Sequence, residues 1–359
     1  MGIQWNNQFF FDRVLPFGLQ SSPYLFNCFA DATQWILQNE FSISDIMHYL
    51  DDYLNVSDPS LPLATHQLEI ILQVFAYLGI PIATDRLKGP TQVLVFLGII
   101  LDTIRMEARL PDDKLAELKH LVSNFLAHDH TTVHTLDSFM GKLSFAAQVV
   151  VAGRTFTRWL WDLYHKFERG APFFRINLTS ECKKDLTWWL HLLDQWNGKS
   201  FFLFEEPTPD HNLELFTDAS GSTGWGAYYG LEKRWIQGTW HAEQQQENIM
   251  YKELYAIVAA CNMWGNRWTR HHVLIHCDNK AVVACVNTGT SHNQSVMSLL
   301  RSLFLICARN NCMVVTCHVP GSSNSIADAL SRSLLQVFRR LVPTAREHPD
   351  RVPPIPPVD

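Results

Sequence analysis

The chain has 359 residues, 47% of them hydrophobic, which is enough to fill the cores of two or three domains and excludes a wholly disordered protein. Its formal charge of -6 argues against a protein that only coats nucleic acid, which needs a basic surface, but not against an enzyme that concentrates acid in its sites. Apolar runs such as Val93 to Leu101 fall well short of the roughly 20 residues of a membrane span. The start "MGIQWNNQFFFDR" lacks a signal peptide's basic region and cleavage site, and Asn6 breaks the myristoylation pattern. None of the eight cysteines forms a C-x-x-C pair, and Cys261 and Cys277 sit in apolar runs. The expectation is an intracellular, reducing compartment, without disulfides or a zinc site.

In chain order, a strand precedes the Pro-Phe-Gly turn of "LPFGLQ", and Ser21-Ser22-Pro23 caps a helix through "YLFNCFADATQWILQ". A hairpin follows around Asp51-Asp52 in "HYLDDYLNV". Leu68, Leu72, Phe75 and Leu78 then take helical spacing until Gly79. A second hairpin is predicted in "VLVFLGIILDTIRMEARLP", turning at Asp102 to Arg105. Three helices come next, "DDKLAELKHLVSNFLAH", "TLDSFMGKLSFAAQVV" and "SECKKDLTWWLHLLDQW". The prolines and acids of "FEEPTPDHN" mark a domain boundary.

Beyond it the pattern is mixed α/β: strands at Leu213 to Thr217, Gly224 to Tyr229 and Lys233 to Thr239, a helix from Asn248 to Trp264, a strand from Val273 to Cys277, a helix, a strand from Met313 to His318, and a last helix. The ending "RVPPIPPVD" is too rich in proline to build a core and reads as a disordered tail.

Four acids in this second half stand where a carboxylate is expensive or useful. Asp218 and Asp278 end apolar strands, at the sheet edge where α/β folds bind ligands, although each taken alone reads better as a turn cap. Glu253 shares a helix face with Ile249, Met250, Ala256 and Ile257, so an ionised group there needs a partner, a metal or a raised pKa. Lys252 points elsewhere. Asp328 begins a helix capped by Asn324 or Ser325, where a favourable contact with the helix dipole would account for it. Together they form the oxygen-rich set that two magnesium ions would take.

The ordered motifs "LELFTDAS", "GWGAYY", "YKELYAI", "IHCDNKAVV" and "HVPGSSNSIADALSR" resemble the ribonuclease H domain of retroelement reverse transcriptases, across about residues 211 to 333. "LPFGLQSSPYLF", "YLDDYL" and "FLGIILD" resemble the reverse-transcriptase palm and its primer hairpin, and "GKLSFAAQVVVAGRTF" the thumb or connection, of a DIRS-type or Gypsy-like retrotransposon. The resemblance implies an α/β chain with an α+β partial palm at 1–110, a helical thumb or connection at 111–204 and an RNase H-like mixed-sheet α/β domain at 205–335; it does not reach the remaining 336–359, which are expected on composition to be a disordered Pro-rich tail. It implies that Asp218, Glu253, Asp278 and Asp328 bind two Mg2+ or Mn2+ ions and cut the RNA of an RNA–DNA hybrid.

In the palm, Asp51 and Asp52 would supply two of three metal-binding aspartates. The third belongs to a motif expected upstream of Met1, Asp12 being badly placed to replace it, so polymerisation by this chain alone is not expected. Phe17, Gly18 and Gln20 would lie near the nucleotide. Lys88, Arg105 and Arg109 would contact nucleic acid, Asn279 would touch the hybrid's minor groove, and Lys114 and Lys119 read as a solvated helix face. His318 is taken as structural. The alternatives are a catalytically inactive nucleic-acid-binding remnant, and part of a complete RNA-directed DNA polymerase if an upstream segment exists.

Overall fold

The computed structural model describes residues 2–11, 14–15, 18–58, 61–167, 172–195, 199–201 and 215–356. By internal contact the chain forms two compact units, Met1–Arg105 and Met106–Asp359. The expected boundary at "FEEPTPDHN", together with Asp12 and Phe17, lies outside the described residues.

The first unit opens with a hairpin, β1 (Gly2–Trp5) and β2 (Gln8–Phe11), turned by Asn6 and Asn7 in the left-handed conformation that Asn tolerates. Helix α1 (Ser22–Asn39) starts with Pro23 in its first turn, as expected. A second hairpin, β3 (Ile46–Tyr49) and β4 (Asp52–Asn55), follows, and then α2 (Leu61–Leu78). Leu37, Ile43, Ile46, Ile71, Val74 and Phe75 form the core between the helices and the β3–β4 hairpin. A third hairpin pairs β5 (Val93–Phe96) with β6 (Ile99–Asp102). It turns at Leu97 and Gly98, both at positive φ. The expected turn at Asp102 to Arg105 is also present, directly after β6, where the Asp102 carboxylate accepts from the backbone N–H groups of Ile104 and Arg105.

In the second unit, β7 (Glu107–Arg109) pairs with β10 (Lys199–Phe201) around a helical block. The block contains α3 (Asp112–Ala127), α4 (Val133–Ala146), α5 (Arg158–Phe167) and α6 (Ser180–Gln195), with a ribbon of β8 (His130–Thr132) and β9 (Arg175–Asn177). The α5 helix was not anticipated. Gly153, in the 3-10 turn before it, lies where an added Cβ would stand 2.4 Å from the Trp189 ring, so the glycine lets that ring bury fully.

The α/β part has a five-stranded sheet of β11 (Leu215–Ala219), β12 (Gly224–Tyr229), β13 (Arg234–Thr239), β14 (His272–Cys277) and β15 (Met313–His318). The order is β13-β12-β11-β14-β15, antiparallel from β13 to β11 and parallel from β11 to β15. After a short α7 (Ala242–Gln245), α8 (Ile249–Trp264) is buried along most of its circumference. Two helices, α9 (Lys280–Thr288) and α10 (Gln294–Asn310), stand where one was expected. Gly289 ends α9 at a φ of +69°.

Trp225, Ala227 and Tyr229 face the core shared with α8 and α10. The opposite sheet face takes α11 (Ser325–Ser331), which can approach because residue 226 is glycine: a Cβ there would stand 2.3 Å from that of Leu330.

The segment expected to be a disordered tail is instead built onto this domain. Helix α12 (Leu335–Leu341) buries Phe338 against Tyr228 and Trp235. The chain then runs along β13, with the N–H groups of Arg346 and Asp350 donating to the carbonyls of Lys233 and Trp235. Asp350 takes Arg234 Nε and Nη2 at 2.5 and 3.0 Å and Trp264 Nε1 at 2.9 Å. The prolines contribute through the group they retain: the carbonyls of Pro353 and Pro356 accept from Asn262 and Ser302. This strap covers backbone groups on the sheet's outer strand, as edge strands require. Asp350→Ala leaves Arg234 and Trp264 without these bonds and is expected to destabilise the second unit by about 2–3 kcal/mol, read by urea denaturation, with Asp350→Asn less severe.

The helical block and the α/β part share one unit through direct contacts. Arg301 of α10 pairs with Asp185 of α6, and Arg158 of α5 donates to Thr290 and His292. No described helix is long and apolar enough to cross a membrane.

Candidate metal centre

The sheet brings all four expected acids to the carboxyl edge of β11 and β14. Asp218 is the fourth residue of β11, Asp278 follows β14 directly, Glu253 lies in the second turn of α8, and Asp328 is in the first turn of α11. Asp218 and Glu253 are only 4% and 5% exposed, whereas Asp278 and Asp328 are partly open to solvent. The site therefore has a buried floor and an open rim.

Burial dominates the electrostatics of the floor. It pushes the Asp218 carboxyl up to about 6, with Asp278 and Asp328 raising it further and the Ser331 hydroxyl opposing. Glu253 is pushed up to about 9, first by burial and then by the charges of Asp218, Asp278 and Asp328, against a hydrogen bond from the Ala219 backbone. Its Oε2 is buried and has no hydrogen-bond partner among the described residues. Lys252 does not relieve it: its ammonium donates to the carbonyls of Gly221 and Gln245, at 2.7 and 2.9 Å.

Four side chains beyond the four acids border the site. Ser331, fully buried in α11 three residues after Asp328, donates to Asp218 Oδ2. Asn324 does not cap α11 through its side chain; its amide donates to the carbonyl of Thr217 at 2.9 Å and to Asp218 Oδ1 at 3.4 Å. Cys277 lies on the same wall, and its Sγ and carboxylate oxygens of Glu253 and Asp278 all lie within 4.8 Å of one another. Burial pushes the Cys277 thiol well above its ordinary range, so it is protonated at neutral pH. At the rim, Arg332 Nε donates to Asp328 Oδ1 at 2.6 Å.

Clustered carboxylates, an orphaned buried oxygen and raised pKa values together fit a divalent cation, whose charge would replace the missing partners. Ser331→Ala removes the donor that holds Asp218. It is expected to cost about 1–3 kcal/mol of stability by thermal melting, and Ser331→Thr is expected to recover part of it.

The remaining expected residues are more dispersed. Asn279 caps α9, its Oδ1 accepting from the backbone of Ala281 and Val282. His318 is exposed at the end of β15, opposite Cys277 in the strand register. Asp51 and Asp52 are exposed at the tip of the β3–β4 hairpin, beside Leu50 at a φ of +54°. Gly18, at a φ of +81°, and Gln20 are exposed before α1. Lys88 and Arg105 are exposed in the first unit. Arg109, in the second, is paired with the buried Glu107 at 3.0 Å. Lys114 stands over the Phe145 ring and Lys119 pairs with Asp194.

Residues 208–304 match the family model of the RNase H-like domain found in reverse transcriptase. That range includes Asp218, Glu253 and Asp278, while Asp328 lies beyond it. No curated protein matches the chain. Solved structures similar to it include a foamy viral protease–reverse transcriptase in complex with RNA/DNA hybrid, at 14% identity over 88% of this chain and 40% of that one, with a TM-score of 0.44. A dRH form of that protein in complex with ds DNA is 17% identical over 89% of this chain and 53% of that one, with a TM-score of 0.46. Another dsDNA complex is 18% identical over 89% and 63%, with a TM-score of 0.43. The chain thus spans less than two thirds of the length of these structures. Its second unit carries an RNase H-like domain of the kind found in reverse transcriptases.

Proposed function

We propose that this chain is an RNA–DNA hybrid ribonuclease whose Asp218, Glu253, Asp278 and Asp328 hold two divalent cations, Mg2+ or Mn2+. The observation that carries this reading is the buried Glu253, whose Oε2 has no hydrogen-bond partner among the described residues, facing three other acids at one sheet edge. When bound, such cations activate a water and stabilise the leaving oxygen of a phosphodiester. The protein's own part is positional. Ser331 and Asn324 hold Asp218, so that its oxygens are aimed before any ligand arrives. Asp278 and Asp328 leave the rim open to a substrate.

The test is to incubate purified protein with a labelled RNA–DNA hybrid and Mg2+ beside an Asp278→Asn control. Cleavage that leaves 5′-phosphates and is lost in the control supports the reading. Equal cleavage by the control, or salt-dependent binding without turnover, rejects it in favour of a contaminating nuclease or a binding remnant.

For the first unit we infer a reverse-transcriptase palm in which Asp51 and Asp52 contribute to a polymerase metal site. Their exposed, side-by-side placement at a hairpin tip supports this. Gly18 and Gln20 would face the nucleotide, and Lys88 and Arg105 the nucleic-acid backbone. Because a third aspartate is expected from an upstream segment, the corresponding assay is primer extension on an RNA template by the chain joined to such a segment, expected to be lost in Asp51→Asn.

A further inference from the structure

Cys277 is the member of this corner that hybrid cleavage does not use. It is fully buried at the end of β14, and its Sγ accepts the N–H of Asn279 at 3.4 Å. Around that sulfur the fold gathers hard oxygen donors. Carboxylate oxygens of Glu253 and Asp278 and the sulfur lie within 4.8 Å of one another, and Glu253 Oε2 is a buried acceptor with no partner among the described residues. Zinc bonds of about 2.3 Å to sulfur and 2.1 Å to oxygen in a tetrahedron place neighbouring donors roughly 3.6 Å apart. From separations of at most 4.8 Å, the three donors would need to close by no more than about 1.2 Å to reach that spacing.

We propose that Glu253, Cys277 and Asp278 form a binding site for a soft divalent cation, Zn2+ or Cd2+, which competes with the hard cation of the same corner. Magnesium takes oxygen ligands and gains nothing from a thiol, whereas a d10 cation gains a strong bond to sulfur. On binding, Cys277 releases its proton to solvent as the metal–sulfur bond forms: one thiol and one dication give one metal thiolate and one H+, with no change of oxidation state. The dication supplies the positive charge that a thiolate beside two carboxylates otherwise lacks. A fourth position is left for water. The spacing of cysteines along the chain could not reveal this site, because two of its three donors are carboxylates and one, Glu253, comes from a helix while the other two lie at a strand end.

The site stands on its geometry and does not require that the domain cleave hybrids, so its test reads binding. The full chain, stripped with EDTA, is titrated with Cd2+ alone while thiolate-to-cadmium charge-transfer absorption, heat and released protons are followed. The parent is expected to show the absorption at one equivalent and to bind Cd2+ at least tenfold more tightly than Cys277→Ser, with Mg2+ affinity changed less than threefold by that substitution. Asp278→Asn is expected to weaken Cd2+ at least tenfold. A Cys277→Ser protein that binds Cd2+ as tightly, with the same absorption, would overturn the site and point to another thiol such as the exposed Cys28. Should Cys277→Ser fail to fold by circular dichroism, Asp278→Asn decides: unchanged Cd2+ affinity overturns the proposal. Loss of nuclease activity alone bears only on the hydrolytic reading.

Discussion

Glu253→Gln is expected to make the cation-free protein more stable and the nuclease inactive at the same time. The two effects share one cause. In the folded chain burial and three neighbouring acids hold the Glu253 carboxyl at about 9, against an ordinary 4.5. A pKa raised on folding contributes stability that is fully present below about 4.5 and is lost as the pH rises toward 9. Asp218, raised from 3.8 to about 6, acts in the same direction over a lower window. Since each tenfold change in proton affinity on folding is worth about 1.4 kcal/mol, the wild-type protein in EDTA is expected to lose several kcal/mol between about pH 5 and about pH 9. The repulsion is shared among the acids, so the Glu253 and Asp218 contributions overlap rather than add.

Glutamine keeps the shape of the side chain and removes its charge. The variant is therefore expected to exceed wild type by about 2–3 kcal/mol near pH 8 and to match it near pH 5, in denaturant titrations with EDTA present. Added Mg2+ should raise the melting temperature of wild type more than that of the variant, because a cation that binds only the folded state stabilises it by mass action. Hybrid cleavage should fall by at least roughly 100-fold, equivalent to about 2.7 kcal/mol of transition-state stabilisation. A wild-type stability that stays flat across this pH range would show that Glu253 does not carry the strain assigned to it.

The parts of this site that could be read from the sequence were those carried by local pattern. Asp218 and Asp278 stand at the ends of apolar strands, and Glu253 breaks the apolar face of a helix, so each was visible within about ten residues of itself. What those patterns could not carry were partners from afar. Ser331 and Asn324 reach Asp218 across more than 100 residues, and nothing in "SNSIADALSR" distinguishes a hydroxyl aimed at a carboxylate from a polar residue on a short helix. Cys277 looked like a small hydrophobe because it is one by burial; only the packing of α8 against the end of β14 sets Glu253 beside it.

The same limit explains the errors in the fold. The strap from Leu335 to Pro356 has little helical or strand periodicity, and its order comes from contacts with Arg234, Trp264 and Asn262. The turn at Leu97-Gly98 was missed because the polar tetrapeptide Asp102 to Arg105, itself a turn, is the stronger local signal, whereas Leu97 at positive φ carries none.

Removing one partner of the Asp185–Arg301 pair is expected to be more damaging than removing both. Asp185 is fully buried and accepts from Arg301 Nη2 and from the Trp159 backbone N–H at 3.1 Å; Arg301 is 7% exposed, its guanidinium 5.6 Å from the centre of the Phe156 ring. The pair ties α6 of the helical block to α10 of the RNase H-like part. Asp185→Leu strands a guanidinium that cannot lose its proton, and is expected to cost about 3–5 kcal/mol at any pH.

Arg301→Met strands a carboxyl that can be neutralised. Burial already pushes Asp185 up to about 7 with Arg301 in place, and loss of the arginine raises it further. Stability of this variant is therefore fully present below about pH 4 and lost as the pH rises, so its defect should be mild near pH 5 and severe near pH 8. The double variant leaves no buried charge at this junction and is expected to fall within about 1–2 kcal/mol of wild type at both pH values. Urea titrations of the four proteins at the two pH values complete a double-mutant cycle. A double variant as unstable as the sum of the singles would mean that the pair acts through side-chain packing between α6 and α10 rather than through charge.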